Sequence, residues 1–80
     1  MKFFGMQIAI TGKILLISRN EVKNLLISGG AKVTSSVSKN TDYLIAGENA
    51  GSKFDKAKTL GVRIVDAIDI INFIDDPKKF

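Results

Sequence analysis

In the stretch AGENAGSK, residues 46–53, Gly47 and Gly51 enclose three residues and Ser52 stands before Lys53. A loop that grips a nucleotide needs Gly, four residues, Gly, Lys and then Ser or Thr, so that backbone N–H groups cradle the phosphates while the lysine reaches over them. The spacing here is one residue short and the last two letters are exchanged. No carboxylate is set on a strand to hold Mg²⁺, and the chain lacks the bulk of a nucleotide hydrolase, which argues against ATP chemistry. The ingredients of a simpler oxyanion site remain. Lys53 offers a cation, Thr11 a hydroxyl, Gly12 a position with no side chain to obstruct approach, and Arg19 and Lys56 further positive charge. The same residue types exclude other chemistry. With neither cysteine nor histidine in the sequence, disulfides, thiolate nucleophiles, the usual zinc sites and imidazole catalysis are all absent.

Those five positions need elements to bring them together. QIAIT, residues 7–11, is a short apolar run that ends at Gly12, as a buried parallel strand does. SRNEVKNLLISGG follows with Ser18 three residues before Glu21, apolar Val22, Leu25 and Leu26 at helical spacing, and a double-glycine stop. AKVT and YLIA read as two more strands separated by the polar stretch SSVSKNTD. SKFDKAKTLG repeats the helix pattern, with Ser52 as N-cap and Gly61 as stop. VRIV supplies a fourth strand, and Asp66 caps a last helix whose Ile68, Ile71, Phe73 and Ile74 suit a buried face, ended by Pro77. The order strand, helix, strand, strand, helix, strand, helix predicts a small α/β fold with a parallel sheet covered on both faces.

In such a sheet the helices that follow strands begin above the strands' carboxyl edge. The segments starting at Ser18 and Ser52 therefore open on one rim, with Thr11 and Gly12 between them. Arg19 and Lys53 are then expected at the first position of their helices, where the helix dipole disfavours a cation by roughly 0.3–1 kcal/mol. A bound anion reverses that sign. At 100° per residue Lys53 falls within the arc of Phe54, Ala57 and Leu60, which holds its ammonium near the body of the domain, and Lys56 follows on the same flank. From charge position alone, Arg19 and Lys53 read at least as readily as solvated surface charges, and Gly12 as a turn residue. The case for a site is the convergence of several such groups on one rim.

Eighty residues form one domain, 1–80 with its core over about 5–75, able to bury about 60% of the surface its unfolded chain exposes. Hydrophobic residues make up 45% and charged residues 25%, which is too apolar for a disordered tail. The net charge of +4 favours anionic partners only mildly. The opening MKFFGMQIAITGK has neither a long apolar core nor a small-residue cleavage site, so a cytoplasmic location is expected.

The run from Ser18 to Val65, and within it TDYLIAGENAGSKFDKAKTLGV above all, closely resembles the BRCT domain at the C-terminus of bacterial NAD-dependent DNA ligases. The likeness extends from about Gly5 to Phe73. The BRCT domain of the clamp-loader large subunit is similar too, but usually carries one more residue where this chain reads GENAGSK. The resemblance implies a BRCT-like four-stranded parallel sheet in the order 2-1-3-4 flanked by three helices. It also implies a phosphate or DNA-binding site made of Thr11, Gly12 and Lys53, with Arg19 and Lys56 as further basic positions. The implied partner is DNA at a nick, a gap or a 5′-phosphate end, with other domains of a parent ligase as possible further partners, and neither a membrane nor a small-molecule substrate. A phosphopeptide or a neighbouring protein domain is the alternative partner. The adenylation machinery of a ligase has no counterpart here, so the chain is expected to be a non-catalytic accessory without a cofactor, NAD and Mg²⁺ belonging to a parent enzyme. In place of the acidic pair that ligase BRCT domains commonly carry before the last helix, this chain reads VDAIDI, and Phe73 stands where many BRCT domains outside the ligases have tryptophan.

Overall fold

A computed structural model describes residues 2–80. Its strands are β1 (Gln7–Thr11), β2 (Lys32–Thr34), β3 (Tyr43–Ala46) and β4 (Arg63–Asp66); its α-helices are α1 (Arg19–Ser28), α2 (Ser52–Leu60) and α3 (Ile70–Asp75). The strands form one sheet in the order β2-β1-β3-β4, and all three pairings are parallel. Both the element order and the strand order match the expected architecture. No helix among the described residues is long and apolar enough to cross a membrane.

Alternation along β1 divides the core into two layers. Ile8 and Ile10 point to one face, where they meet Val22 and Leu26 of α1 and Ile70 and Phe73 of α3; Ala9 points to the other, against Leu44, Ala57 of α2 and Val62. The first layer is the larger. Phe73 sits at its centre, stacked on Phe3 and edge-on to both Tyr43 and Phe80, with ring centroids 5.0–5.8 Å away.

Helix α1 starts as its sequence signature predicts. Ser18 has extended backbone geometry, and its Oγ accepts from the Glu21 N–H at 3.2 Å. Helix α2 does not. Its N-cap is Gly51, at φ 65° and ψ −140°, and no side chain covers its first N–H groups. The expected cap Ser52 is instead the first helical residue, which puts Lys53 second rather than first. That backbone geometry is one glycine tolerates and residues with a Cβ avoid, so the glycine turns the chain into the helix one residue early. Ser18→Ala should therefore cost about 1 kcal/mol in urea unfolding, whereas Ser52→Ala should stay within about 0.5 kcal/mol of the parent. Equal losses at the two serines would contradict this assignment.

The last helix also departs from expectation. Asp66 does act as a cap, its carboxylate accepting from the Ile68 N–H at 3.1 Å, but it caps a 3₁₀ turn over Ala67–Asp69 that precedes α3. A tighter turn places side chains three apart on one line. The buried residues are accordingly Ala67, Ile70 and Phe73, while Ile68 and Ile71, assigned above to the buried face, are 70% and 59% exposed. Leu25 of α1 is likewise largely exposed, leaving Val22 and Leu26 as that helix's buried pair.

Candidate functional site

The carboxyl rim of the sheet is built from four exits: Thr11 into Gly12, Thr34 into Ser35, Ala46 into Gly47, and Asp66 into the 3₁₀ turn. Helices α1 and α2 both begin there, on opposite faces. Thr11 lies on the α2 side, as Ala9 does. It is 5% exposed, and its hydroxyl faces the Ala50 carbonyl at 3.5 Å, too far for a strong hydrogen bond. The hydroxyl proton is thus poorly satisfied at the mouth of β1.

Both basic side chains turn inward onto backbone carbonyls. The Met6 carbonyl accepts from Lys32 of β2 at 2.9 Å and the Gln7 carbonyl from Asp42, just before β3, at 2.7 Å, so alternate β1 carbonyls face opposite neighbours. By that alternation the Ile10 carbonyl faces β2. The last rung between these strands is Ala9 with Thr34, and the chain leaves the sheet there, so Ile10 has lost its strand partner. The Arg19 guanidinium replaces it, donating Nη2–H to the Ile10 carbonyl at 2.6 Å. Lys53 does the same for the next exit, its ammonium donating to the Ser35 carbonyl. Lys53 thereby ties the start of α2, which follows β3, to the exit of β2.

Arg19 and Lys53 thus arrive from opposite faces of the sheet at the β1–β2 end of the rim. Each is anchored by one donor, and each keeps others, since a guanidinium carries five N–H donors and an ammonium three. Lys56 is exposed on α2, three residues after Lys53 and so on the same flank. The anchored geometry holds the charges in place without neutralising them.

Gly12 has a structural reason of its own to be glycine. Its φ of 77° suits glycine, and a Cβ there would lie 2.5 Å from the Glu48 carbonyl oxygen and 2.8 Å from Gly47, inside the protein's own backbone. The close approach comes from a bridge that continues the β1–β3 contact beyond the sheet, with Lys13 N–H donating to the Glu48 carbonyl and Glu48 N–H to the Lys13 carbonyl, both at 2.9 Å. The β1–β3 junction is closed at that point.

Two clefts flank this closure, and they differ in character. One, of about 340 Å³, is lined by the exposed apolar Leu15, Leu16 and Ile68 together with Lys13, Glu48 and Asp66. The other, of about 610 Å³, lies between the first turns of α1 and the exit of β2, and its walls include Arg19, Asn20, Lys23, Thr34 and Ser36. The first mixes Lys13 with Glu48 and Asp66, whereas the second carries Arg19 and Lys23 and no acidic residue. The rim is polarised, positive toward β2.

The BRCA1 C Terminus (BRCT) domain family matches residues 1–74, and the chain belongs to that family. It is 49% identical over 72 residues to the DNA ligase of Latilactobacillus sakei subsp. sakei (strain 23K), a match that takes in 90% of this chain and 11% of the ligase's length. Among solved structures, the crystal structure of Rad4 BRCT1,2 in complex with a Crb2 phosphopeptide superposes with a TM-score of 0.77, covering 92% of this chain and 40% of that one at 20% identity. That last likeness is one of fold.

Proposed function

We propose that this domain is a non-catalytic DNA-binding module of a DNA ligase of the NAD-dependent kind, working in the bacterial cytoplasm in replication and repair. It engages nicked, gapped or 5′-phosphorylated duplex by holding a phosphate at the β1–β2 end of the rim. The observation that carries this reading is that Arg19 and Lys53, from helices on opposite sheet faces, are each fixed on an exit carbonyl at the β1–β2 end of the rim, where β1 ends in the buried Thr11. Kinship with a bacterial ligase supports DNA as the source of the phosphate.

Each residue has a physical part. Lys53 supplies charge-assisted donors from a side chain already ordered, so less rotamer entropy is lost on binding than from a free lysine. Thr11 turns its weakly held hydroxyl proton to a phosphate oxygen. The first N–H groups of α2, uncovered by any cap side chain, add partial positive charge. Gly12 contributes only backbone, by letting β1 leave the sheet beside Glu48. Arg19 and Lys56 draw on neighbouring phosphates. Contacts of this kind position a protein on duplex without reading its sequence, and the sealing chemistry with its NAD and Mg²⁺ is left to the rest of the ligase.

Lys53→Ala should weaken binding to a duplex ending in a 5′-phosphate by about tenfold to a hundredfold, the worth of one charge-assisted hydrogen bond of roughly 1.5–3 kcal/mol. Binding to the matched 5′-hydroxyl duplex should change much less. Fluorescence titrations of the two duplexes provide the comparison, and an equal loss for both would leave only general attraction to the backbone. Should a phosphopeptide displace the duplex at lower concentration than a phosphorylated oligonucleotide does, the partner would be a protein instead.

A further inference from the structure

The larger cleft holds a further cation, Lys23. Lys23 stands one helical turn after Arg19, so the two side chains project from the same side of α1 into one space. Across from them the β2 exit is fixed by two bonds. The Thr34 hydroxyl donates to the Ser36 carbonyl at 2.9 Å, and Lys53 holds the Ser35 carbonyl from the other side. Ile10 and Val33 form the floor, Asn20 stands beside the two cations, and no acidic residue lines the cleft. Two cations, an amide and hydroxyls face one another over an apolar floor, which is the composition of a site for a phosphate carrying its sugar rather than for a bare ion.

Building on the proposed function, we infer that this cleft is a second anion subsite, which takes an internal phosphodiester of the bound duplex with Lys23 as its principal cation. Ser35 joins the two subsites, since its residue lines the cleft and its carbonyl anchors Lys53. Arg19 lies at the boundary. One of its donors is spent on Ile10, and its side chain lines the same cleft.

The two subsites make different demands on DNA. A pocket for a terminal phosphate distinguishes 5′-phosphate from 5′-hydroxyl ends, whereas a subsite for an internal phosphodiester sees the same group in both. Each phosphate neutralised also adds about 0.9 to the slope of log affinity against log salt on duplex DNA. Lys23 is exposed and has no anchoring role in the fold, so its removal should leave the fold intact, which cannot be said of Arg19. Lys78 serves as a charge control. It lies in the C-terminal 3₁₀ turn beside Pro77, whose carbonyl approaches the Tyr43 hydroxyl at the opposite edge of the sheet.

The test is a set of fluorescence-anisotropy titrations at several salt concentrations with 5′-phosphate and 5′-hydroxyl hairpin duplexes, comparing the parent chain with Lys23→Ala, Lys53→Ala and Lys78→Ala. The expected result is a roughly tenfold loss for Lys23→Ala on both duplexes alike, a salt slope smaller by about 0.9, and an unchanged preference for the phosphorylated end. Lys78→Ala should stay within about twofold of the parent. An unchanged slope in Lys23→Ala, or an equal loss in Lys78→Ala, would overturn the subsite. A Lys53→Ala protein that keeps its preference for phosphorylated ends, beside a Lys23→Ala protein with a reduced slope, would remove the terminal-phosphate reading and leave the subsite standing.

Discussion

Phe73→Ala should be the most damaging single substitution in the core, lowering unfolding free energy by about 3–5 kcal/mol. Phe73 has no exposed surface and contacts aromatic rings contributed by the start, middle and end of the chain, namely Phe3, Tyr43 and Phe80. Truncation removes the transfer free energy of the ring and leaves a cavity that the surrounding rings fill only in part. At roughly 0.05–0.15 kcal/mol per residue, a chain of 80 residues has about 4–12 kcal/mol in total, so the variant should be largely unfolded at growth temperature if the parent lies near the lower figure. Urea denaturation followed by circular dichroism measures the difference. A loss below about 1 kcal/mol would show that the aromatic cluster is not the centre of the domain. Phe73→Trp would place the residue found in many other BRCT domains into a pocket fitted to phenylalanine, and overpacking of that kind typically costs about 1–3 kcal/mol.

Gly12→Ala should cost a comparable amount for a different reason. An L-residue at positive φ is disfavoured by about 1–2 kcal/mol, and the new methyl would meet the Glu48 carbonyl oxygen and Gly47, which overpacking precedents put at about 1–3 kcal/mol more. The sum is about 2–5 kcal/mol. Gly5 offers a control, since its φ is 78° but nothing lies within 4 Å of an added Cβ, so Gly5→Ala should show only the backbone part. Thermal unfolding of the pair separates strain from crowding. Equal losses at Gly5 and Gly12 would mean that the Lys13–Glu48 bridge yields freely. The large expected loss also makes Gly12 a poor probe of binding, because a weaker fold and a weaker site would look alike.

The strands were legible because each is a short apolar run closed by a glycine or a polar stretch, and parallel pairing follows once helices intervene. Helix α1 was legible for the same kind of reason, since Ser18 and Glu21 make a local pattern that needs no knowledge of the rest of the chain. Ser52 offers a similar cap signal that the structure does not use, because Gly51 can adopt a backbone geometry closed to other residues and so begins the helix earlier. The buried face of the last segment departs from α-helical periodicity because of its 3₁₀ turn. Stepping at 100° per residue from Asp66 assumes an α-helix, whereas the observed inward residues Ala67, Ile70 and Phe73 keep the three-residue spacing of the turn that starts the segment.

At the rim, the types and spacing of Arg19 and Lys53 were enough to expect cations near Thr11. What they hold was not, because their acceptors are backbone carbonyls. The Ile10 carbonyl is orphaned only because β2 stops one rung short, a matter of register that side-chain identities do not encode. Gly12 illustrates the same limit. The backbone that a Cβ at Gly12 would strike belongs to the bridge between Lys13 and Glu48, which joins residues 35 positions apart. Lys23 was within reach of sequence reasoning, since it follows Arg19 at helical spacing, but its importance depends on the cleft opposite.

The claim that a terminal phosphate is held between Thr11 and Lys53 is tested most directly by amide chemical-shift mapping of the labelled domain on two duplexes that differ only in one 5′-phosphate. The difference between the two complexes should concentrate on Thr11, Gly12, Ser35 and the first turn of α2 around Lys53. A difference centred on the apolar cleft of Leu15, Leu16 and Ile68, or on the Pro77–Lys79 edge, would contradict it, as would two identical maps.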